Sequence, residues 1–371
     1  MEKSFHVSLK KVVDDSYDIA IGRDLSRQLI EDLKDGLVGS IRRFAVVTDD
    51  QVKPLYADQI VGFLKEAGYT AECFVIPHGE KSKTRAMKEF VEDSMLKAGF
   101  RRDCCVIAVG GGVVTDLAGF TAGTFGRGVP YMSYATTLLS AADASVGGKT
   151  AVDTDLATNL IGLFYQPKKV YIDVKAWETL PKRQLHSGLA ETIKHACMAD
   201  ETFFRYLEDN MEKILSLDPE VCMHVAETNC RIKYSVVEQD ETETSGLREI
   251  LNLGHTLGRA VETVSDYRLL HGEAVAIGLV FEARLGETVG YLSAEDTKRM
   301  EALLKRAELP TEIPDEIDRE VLFQKLFTDK KVRDGQIRFV FQKGIGEILR
   351  FPDGKYARAV SAEEIRKVLF S

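Results

Sequence analysis

Apolar residues in the first half of the chain cluster in short runs that are separated by amphipathic stretches. The runs predict buried strands at 43–50, 71–83, 104–112, 129–137 and 169–174. Between them, stretches such as 86–99 repeat an apolar residue at helical spacing, which is typical of a helix with one buried face. Strands that alternate with helices predict a mostly parallel sheet with helices on its faces.

The pattern changes near residue 180, after which most apolar segments have helical periodicity. The predicted helices cover 183–198, 202–215, 219–239, 248–264 and 272–290. A proline in "ETLPKRQ" precedes the first of them and marks a helix start. We therefore expect an α/β domain over 1–180 and a mostly helical domain over 181–371, whose tail forms short strands and a closing helix.

Composition narrows the class of protein. The chain has 371 residues, a net charge of −9 and a pI of about 5.5, and its length favours two domains. The acidic balance argues against nucleic acid or an anionic membrane as the main partner, although a local cationic pocket can still bind a small anion. We find no apolar run of membrane-spanning length and no signal-peptide core at the start. Six cysteines without a CxxC pair indicate reduced thiols and a cytoplasmic protein.

The apolar run at 104–112 ends in three glycines, and Asp116 follows at the start of a predicted helix. Glycines at a strand–helix junction let the backbone approach a pyrophosphate, whose charge the helix N-terminus favours. The spacing is not GxGxxG, so the usual dinucleotide fingerprint is absent and an ordinary tight turn is the alternative.

A second polar segment, 136–159, contains paired threonines, Asp143, a lysine after two glycines and Asn159. The lysine, Lys149, can place a point charge on a phosphate. The spacing differs from that of a P-loop, and an ordinary polar loop is the alternative.

Glu191, Lys194 and His195 lie on one face of a predicted helix of small apolar residues. A buried Glu191–Lys194 ion pair is one interpretation, because charged groups on a semi-buried helix need partners. The second interpretation is a metal site, since His255 and His271 lie in similar glycine-containing helices. One carboxylate with two imidazoles is typical of catalytic zinc. His195 is a rival ligand, because it lies one turn from Glu191.

The segment "LNLGHTLGRA" at 251–260 predicts a helix that aligns Asn252, His255 and Arg259 on one stripe. Basic residues elsewhere either face solvent or converge on an acidic substrate. These are Lys233, Arg248, Lys330 and Lys331.

Together these motifs resemble those of the 3-dehydroquinate synthases and, more broadly, the sugar phosphate cyclases. The resemblance spans roughly 75–345 and includes "GGGVVTDLAGFTAGTFGRGV", "DASVGGKTAVD", "LHSGLAETIK", "LNLGHTLG", "LHGEAVAIG" and "DKKVRDG". It implies an N-terminal Rossmann-like NAD-binding α/β domain and a C-terminal mostly helical metal-binding domain. The implied enzyme is a lyase of the shikimate pathway, which converts 3-deoxy-D-arabino-heptulosonate 7-phosphate to 3-dehydroquinate and phosphate. Transient NAD-dependent oxidation, phosphate elimination, reduction and an intramolecular aldol step make up the implied reaction.

The resemblance also implies a role for each site residue. NAD would be bound by Glu80, Lys83, Gly111, Gly112, Asp116, Thr136, Thr137, Lys149 and Thr179. A divalent metal, zinc or cobalt, would be held by Glu191, His255 and His271. Catalysis would involve Asp143, Lys194, Lys233, Arg248 and Asn252. The substrate would contact Lys149, Asn159, Arg259 and Lys330, with Asn252 and Arg259 directed at its phosphate. Arg127 would reach across the interface of a homodimer.

Two positions depart from the family pattern. Arg259 stands where the family usually has histidine, and Thr158 stands where it usually has lysine. Arg259 adds a permanent positive charge and Thr158 removes one, so the two changes are consistent with compensation around the substrate phosphate. The departures leave open another sugar phosphate cyclase, of the valiolone or inosose synthase type. The sequence also leaves open a metal-dependent NAD polyol dehydrogenase and a non-catalytic NAD or sugar-phosphate binder.

Overall fold

The computed structural model describes residues 4–10, 12–327 and 336–371. In the first half of this part, strands and α-helices alternate as far as the fifth strand, and three further strands follow. The elements are β1 (Asp18–Gly22), α1 (Ser26–Lys34), β2 (Arg43–Asp49), α2 (Asp58–Glu66), β3 (Thr70–Ile76), α3 (Arg85–Lys97), β4 (Cys104–Gly110), α4 (Gly112–Thr124), β5 (Tyr131–Ala135), β6 (Lys149–Thr154), β7 (Ala157–Phe164) and β8 (Lys169–Asp173). All the strands that the apolar runs predict are present, together with β1, β6 and β7, which those runs did not reveal.

Six of these strands form one parallel sheet in the order β1–β8–β5–β4–β2–β3. Strand β4 is buried along its whole length, which explains its unbroken apolar run. The chain continues from β2 to β3 on one side and from β4 to β5 on the other, so a crevice opens at the carboxyl ends of β2 and β4. Strands β6 and β7 form a separate antiparallel hairpin. The predicted α/β fold of the first half is confirmed.

Helices cover both faces of the parallel sheet. On one face, Val91 of α3 and Leu117 of α4 pack with Val106 of β4. On the opposite face, Leu64 of α2 packs with Ile107, the next residue of β4. Because successive strand residues point to opposite faces, one apolar strand contributes to two cores.

The second half is mostly helical, as predicted. Its described elements are α5 (Lys182–Ala199), α6 (Glu201–Leu215), α7 (Pro219–Gln239), α8 (His255–Val264), α9 (His271–Thr288), α10 (Ala294–Arg306), α11 (Arg319–Leu326), β9 (Ile337–Val340), β10 (Gln342–Gly344), β11 (Glu347–Ile348), β12 (Ala357–Val360) and α12 (Ala362–Leu369). Strand β9 pairs with β12, and β10 pairs with β11, both antiparallel. The expected terminal strands and closing helix are therefore present.

Helix α5 lies at the centre of the helical half and is buried without interruption over 187–198. It packs against α6, α7 and α9. A single apolar core joins the two halves, since Val170 and Trp177 belong to the same buried cluster as Ile193. The domain boundary at residue 180 stays a prediction.

The prediction of one helix over 248–264 was wrong. A 3₁₀ turn spans Leu247–Asn252, and α8 begins only at His255. Asn252 therefore does not share a helical stripe with His255 and Arg259, which lie one turn apart on α8.

Glycines explain both the break and the close packing of α8 on α9. Gly254 has a φ of 78°, a left-handed conformation that interrupts the helix. A Cβ on Gly278 would lie 1.9 Å from the carbonyl oxygen of Gly254. The two helices can approach this closely only while both positions lack a side chain.

Within residues 4–10, 12–327 and 336–371, every helix is either too short or too polar to cross a membrane. All six cysteines are free; Cys73 is half-buried and the others are buried.

Replacing Gly278 by alanine should destabilise the protein, because the new methyl group would meet backbone rather than a movable side chain. We expect the free energy of unfolding to fall by about 1–3 kcal/mol, the usual cost of overpacking. Gly62→Ala in α2 is the matched control, because a Cβ there meets nothing within 4 Å. The control should raise stability by about 0.5–1 kcal/mol. Urea unfolding measures both variants, and equal stability would contradict the close contact of α8 with α9.

Candidate metal and cofactor site

Three predicted metal ligands from three helices meet in the structure. Glu191 lies in the middle of α5, and His255 and His271 are the first residues of α8 and α9. Oε1 of Glu191 lies 3.5 Å from Nε2 of His255 and 3.4 Å from Nε2 of His271. One ligand atom from each side chain lies within 4.8 Å of the other two. The residue types that the sequence singled out are therefore neighbours in the fold.

Helix α9 can approach α5 because Gly272 has no side chain. A Cβ at Gly272 would lie 1.8 Å from the carbonyl oxygen of Ser187. The N–H of Gly272 instead donates a 3.0 Å hydrogen bond to Oγ of Ser187. This contact fixes the start of α9 on α5, so that His271 faces Glu191.

Each imidazole is oriented by a contact of Nδ1, the ring nitrogen that does not face Glu191. Nδ1 of His255 lies 3.1 Å from the carbonyl oxygen of Leu253, and Nδ1 of His271 lies 3.3 Å from Oε2 of Glu262. In the neutral rings these acceptors require the proton on Nδ1, which leaves the Nε2 lone pairs facing Glu191. Glu262 was not among the predicted residues, although its position seven residues after His255 puts it on the same helical face.

Charges in this cluster compensate one another. Burial raises the pKa of Glu191, but the charges of Lys194 and His255 outweigh burial and hold that pKa below its usual range. Burial and the charge of Lys194 lower the pKa of His255. Burial also lowers the pKa of His271, but Glu262 and Glu191 outweigh it and raise that pKa to about 10. Metal binding at neutral pH therefore requires His271 to release a proton.

The distances fit a tetrahedral metal ion. Ligand atoms about 2.1 Å from such an ion lie about 3.4 Å from one another. The separations of Glu191 Oε1 from the two imidazole nitrogens are close to this value. The His271 side chain is 29% exposed, so a further coordination position can open towards solvent. The donor set and its geometry therefore fit a catalytic divalent metal.

His195, the rival ligand, belongs to a second candidate group with Asp143 and Glu191. Two ammonium groups flank this second group, because Lys194 pairs with Glu191 and Lys233 pairs with Asp143. Their positive charges oppose a cation at that position. The geometry therefore favours the group that contains the two helix-starting histidines.

The cationic side chains beside the candidate metal ligands are buried. Lys194, Lys233 and Arg248 are each at most 5% exposed. Burial lowers the pKa of Lys233, although the charge of Asp143 opposes that shift. Burial raises the pKa of Asp143, but Lys233 and Lys194 outweigh it and hold that pKa well below its usual range. Two ion pairs of buried lysines thus lie directly beside the candidate metal ligands.

Arg248 connects the helical half to the start of the β6–β7 hairpin. Its guanidinium donates to the carbonyl oxygens of Gly147, at 3.0 Å, and of Glu241. Gly147 has a φ of 100°, and a Cβ there would overlap the guanidinium. Lys149 lies two residues further and forms an ion pair with Glu243. The roles of Arg248 in catalysis and of Lys149 at a phosphate stay predictions.

The glycine turn lies at the carboxyl end of β4, beside β2. Gly112 begins α4, and a Cβ at Gly111 would lie 3.1 Å from the Thr137 side chain. The N–H of Thr136 donates to the carbonyl oxygen of Gly110 at 3.1 Å. The Thr136 hydroxyl is buried and has no hydrogen-bond partner among the described residues. Glycines, a helix start and an unpartnered hydroxyl suit the pyrophosphate of a dinucleotide.

Asp49 is a further cofactor candidate, which the predictions did not include. It is the last residue of β2, the neighbour of β4 in the sheet. Its Oδ1 accepts hydrogen bonds from the N–H groups of Gln51 and Val52, which leaves Oδ2 for a ribose hydroxyl of a dinucleotide in the crevice. Burial raises the pKa of Asp49. The signal in the sequence was the acidic end of the apolar run 43–50.

Four predicted cofactor or substrate contacts form one network. Lys83 is buried, pairs with Asp116 at 2.5 Å and lies 3.8 Å from Glu80. It also donates a 2.6 Å hydrogen bond to Oδ1 of Asn159. Burial lowers the pKa of Lys83, but Asp116 and Glu80 outweigh burial and raise it. The charge of His271 acts on Glu80, so this network borders the candidate metal ligands.

Asn252 and Arg259 flank His255 along the chain. The Asn252 amide donates to the carbonyl oxygen of Glu249 at 3.1 Å. Arg259 is half-buried, and its guanidinium makes no hydrogen bond or ion pair with any residue in the described ranges. As far as the described residues are concerned, this guanidinium is free to bind a ligand.

The remaining predicted site residues are Thr179, Arg127 and Lys330. The Thr179 hydroxyl is 2.8 Å from that of Tyr56. Arg127 is exposed, at a positive φ of 68°. Lys330, like Lys331, lies outside the described residues.

Comparison with known families identifies the family to which the chain belongs. Residues 73–187 match the family model described as 3-dehydroquinate synthase N-terminal, and residues 188–332 match the one described as 3-dehydroquinate synthase C-terminal. The chain belongs to the 3-dehydroquinate synthase family. Its function is the formation of 3-dehydroquinate, as the sequence motifs predicted.

The similarity extends over most of the chain. The 3-dehydroquinate synthase of Pelobacter propionicus is 47% identical over 336 residues, which cover 90% of this chain and 92% of that protein. The fold is also similar to that of 2-epi-5-epi-valiolone synthase from Streptomyces hygroscopicus subsp. jinggangensis, whose structure has NAD⁺ and Zn²⁺ bound. The TM-score is 0.86 and the identity is 27%, and the match covers 99% of this chain and 98% of that one. A third similar protein is 2-deoxy-scyllo-inosose synthase, whose crystal structure is a complex with carbaglucose-6-phosphate, NAD⁺ and Co²⁺. The TM-score is 0.86 at 22% identity, and the match covers 95% of each chain. This last likeness is one of fold.

Glu262→Gln should weaken metal binding while leaving the three ligand side chains in place. The carboxylate of Glu262 orients the His271 ring and makes its Nε2 more basic. We expect the affinity for Zn²⁺ to fall about 10- to 100-fold, measured by competition with a chromophoric chelator. Glu287→Gln, an exposed position on α9, is the control and should bind like the wild type. Equal affinities in the two variants would exclude the orienting contact.

Proposed function

We propose that this member of the 3-dehydroquinate synthase family is an NAD- and metal-dependent carbon–oxygen lyase. Its substrate is 3-deoxy-D-arabino-heptulosonate 7-phosphate, and its products are 3-dehydroquinate and phosphate. The observation that carries the proposal is the meeting of Glu191, His255 and His271 beside the buried Lys194 and Lys233. The family match supports the overall reaction.

Glu191, His255 and His271 would hold the divalent metal. An ion held there would act as a Lewis acid on the substrate hydroxyl that becomes a ketone. Nitrogen and oxygen ligands at tetrahedral distances favour zinc. The valiolone synthase structure with Zn²⁺ and the inosose synthase structure with Co²⁺ support a divalent metal in this fold.

Lys194 and Lys233 would bind the anionic oxygens of the substrate. Each ammonium group carries three N–H donors, and one carboxylate partner on each still leaves donors for substrate oxygens. The burial of both lysines excludes water, which strengthens their attraction to a carboxylate. A chain with a net charge of −9 can thus offer a cationic pocket to an anionic sugar.

NAD would occupy the crevice at the carboxyl ends of β2 and β4. Gly111 and Gly112 would let its pyrophosphate approach the start of α4, with the Thr136 hydroxyl donating a hydrogen bond and Thr137 lining the turn. Asp49 would accept hydrogen bonds from a ribose. Bound NAD⁺ supplies a hydride acceptor that is regenerated within each turnover. The further NAD contacts implied by the family resemblance are Glu80, Lys83, Asp116, Lys149 and Thr179.

Arg259 would bind the substrate phosphate. Its guanidinium is half-buried, and its charge lowers the pKa values of His255 and Glu262, so it lies near the candidate metal ligands. A guanidinium stays protonated throughout the working pH range, so it offers a fixed charge where the family usually has histidine. Asn159, Arg248 and Asn252 would supply further donors to the substrate.

A homodimer would complete the site through Arg127. Strand β7 exposes apolar side chains, with Leu160 57% and Phe164 43% exposed. Tyr165, directly after β7, donates to the carbonyl oxygen of Val129, two residues from Arg127. An exposed apolar edge strand is a surface that a second copy can cover. These features support a dimer contact at β7 beside Arg127.

Another sugar phosphate cyclase is the second candidate. The valiolone synthase has the same fold at 27% identity, and Arg259 and Thr158 differ from the pattern expected of the family. The 47% identity to the synthase of Pelobacter propionicus favours the heptulosonate phosphate.

Phosphate release from 3-deoxy-D-arabino-heptulosonate 7-phosphate with NAD⁺ tests the proposal, with the product identified by mass spectrometry and NMR. We expect release to stop after chelator treatment and to return with Zn²⁺ or Co²⁺, because the ligand cluster needs a cation. NADH should not accumulate, since the cofactor is regenerated. Steady accumulation of NADH with a polyol would instead indicate a dehydrogenase, and turnover restricted to another sugar phosphate would favour the second candidate.

Arg259→Ala should raise KM for the phosphorylated substrate by about tenfold or more, because a charge-assisted hydrogen bond is lost. The exposed Arg205→Ala on α6 is the control and should leave KM unchanged. The double change of Thr158 to lysine and Arg259 to histidine should lower KM relative to Arg259→His alone. An unaltered KM in Arg259→Ala would remove this residue from the phosphate site.

A further inference from the structure

We propose that Asp153 is a positioning residue, which holds Asn159 so that the side-chain amide of Asn159 donates hydrogen bonds to the sugar phosphate. This inference deepens the proposed function and rests on it through the role of Asn159 at the substrate. The observation behind it is a break in the ladder between β6 and β7, which the carboxylate of Asp153 spans.

The β6–β7 hairpin bulges at Asn159. Between two paired positions of the hairpin, residues 158–160 of β7 lie opposite Asp153 alone. A bulge of this kind leaves backbone groups of the longer strand without their ladder partners. Asn159 is also left-handed, with a φ of 54°, a conformation that residues other than glycine seldom adopt. Such a backbone needs a contact that holds it in place.

The Asp153 side chain supplies that contact. Its Oδ1 accepts a 2.6 Å hydrogen bond from the backbone N–H of Asn159. Hydrogen bonds to a carboxylate are stronger than those between neutral groups. The backbone of Asp153 is fixed in turn, because its N–H donates to the carbonyl oxygen of Lys83 at 2.7 Å. Asp153 thus holds the bulge against the segment that contains Lys83.

Lys83 orients the side chain of Asn159. Its ammonium group donates to Oδ1 of Asn159 at 2.6 Å. Because an ammonium group can only donate, the amide oxygen faces Lys83 and the NH₂ group points away from it. Asn159 is exposed, and its Nδ2 makes no hydrogen bond within the part of the chain that the structure describes. Two N–H donors are therefore presented to a ligand in a fixed direction.

The direction of this amide matters because β7 carries no positive charge. The strand contains neither lysine nor arginine, and Thr158 stands where the family usually has lysine. An anionic oxygen that approaches β7 is therefore bound by directed hydrogen bonds rather than by a cation of this strand. Asp153 would set that direction through Asn159 without contacting the substrate itself.

Two substitutions separate the acceptor from the carboxylate charge. Asp153→Ala removes the acceptor, whereas Asp153→Asn keeps an oxygen that can accept from the Asn159 N–H. We expect KM for 3-deoxy-D-arabino-heptulosonate 7-phosphate to rise about tenfold in Asp153→Ala and to stay near the wild-type value in Asp153→Asn. The kcat value, the zinc content and the affinity for NAD⁺ should change much less.

Asp155→Ala, in the exposed turn of the same hairpin, is the control and should leave KM unchanged. An unchanged KM in Asp153→Ala, or an equal rise in Asp153→Asn, would overturn the proposal. Joint loss of kcat, zinc and NAD⁺ affinity in Asp153→Ala would indicate a general structural role and would also overturn it.

The two residues should act as one unit. In Asn159→Ala, which lacks the amide, the further change Asp153→Ala should alter KM by no more than about twofold, because nothing remains to be positioned. A second tenfold rise would show that Asp153 acts on the substrate by another route, which contradicts the inference.

Nitrogen-15 NMR tests the contact independently of activity. The chain contains four asparagines, so asparagine labelling gives few signals, and those of Asn159 are assigned by their disappearance in Asn159→Ala. We expect the backbone amide proton of Asn159 at low field, as for a short hydrogen bond to a carboxylate, and a shift to higher field in Asp153→Ala but not in Asp155→Ala. An identical signal in the wild type and Asp153→Ala would refute the contact. Absence of synthase activity in the wild type would reject the proposed function, while these spectra would still decide whether Asp153 holds Asn159.

Discussion

The carboxylate of Glu191, which has no exposed surface, is the charge around which the helical half is arranged. A buried carboxylate is tolerated in a fold only when positive charge or a metal compensates it. Lys194 meets one of its oxygens, and the imidazoles of His255 and His271 face the other. The candidate metal site is therefore also the place where α5, α8 and α9 are joined.

Glycines set the distances that this compensation requires. Gly272 lets α9 rest on the backbone of α5, and Gly254 and Gly278 let α8 rest on α9. These contacts are between backbones, so they do not depend on which side chains line the rest of the pocket. Arg259 can therefore stand where the family usually has histidine while the candidate metal ligands stay in place.

Strands and helices could be predicted from the sequence where their burial produces a regular pattern of apolar residues. Strand β4 is buried on both faces and left an unbroken apolar run, whereas β7 exposes most of its side chains and left no comparable signal. The break before α8 depends on the φ of Gly254, which apolar periodicity does not reveal.

Residue types pointed to Glu191, His255 and His271 as ligands. The contacts that orient them could not be read from the sequence, because they depend on how helices face one another. Glu262 reaches His271 on the next helix, and Asn229 reaches His195 from α7.

Both candidate histidine ligands occupy the first position of a helix, α8 and α9. Glu282 accepts hydrogen bonds from the N–H groups of Gly254 and Thr256 at the start of α8, and the Gly272 N–H at the start of α9 donates to Ser187. Polar groups of the protein itself therefore hold both helix starts before any ligand binds. An ion bound by the candidate side chains would meet a preformed frame, which keeps the entropic cost of ordering those side chains low.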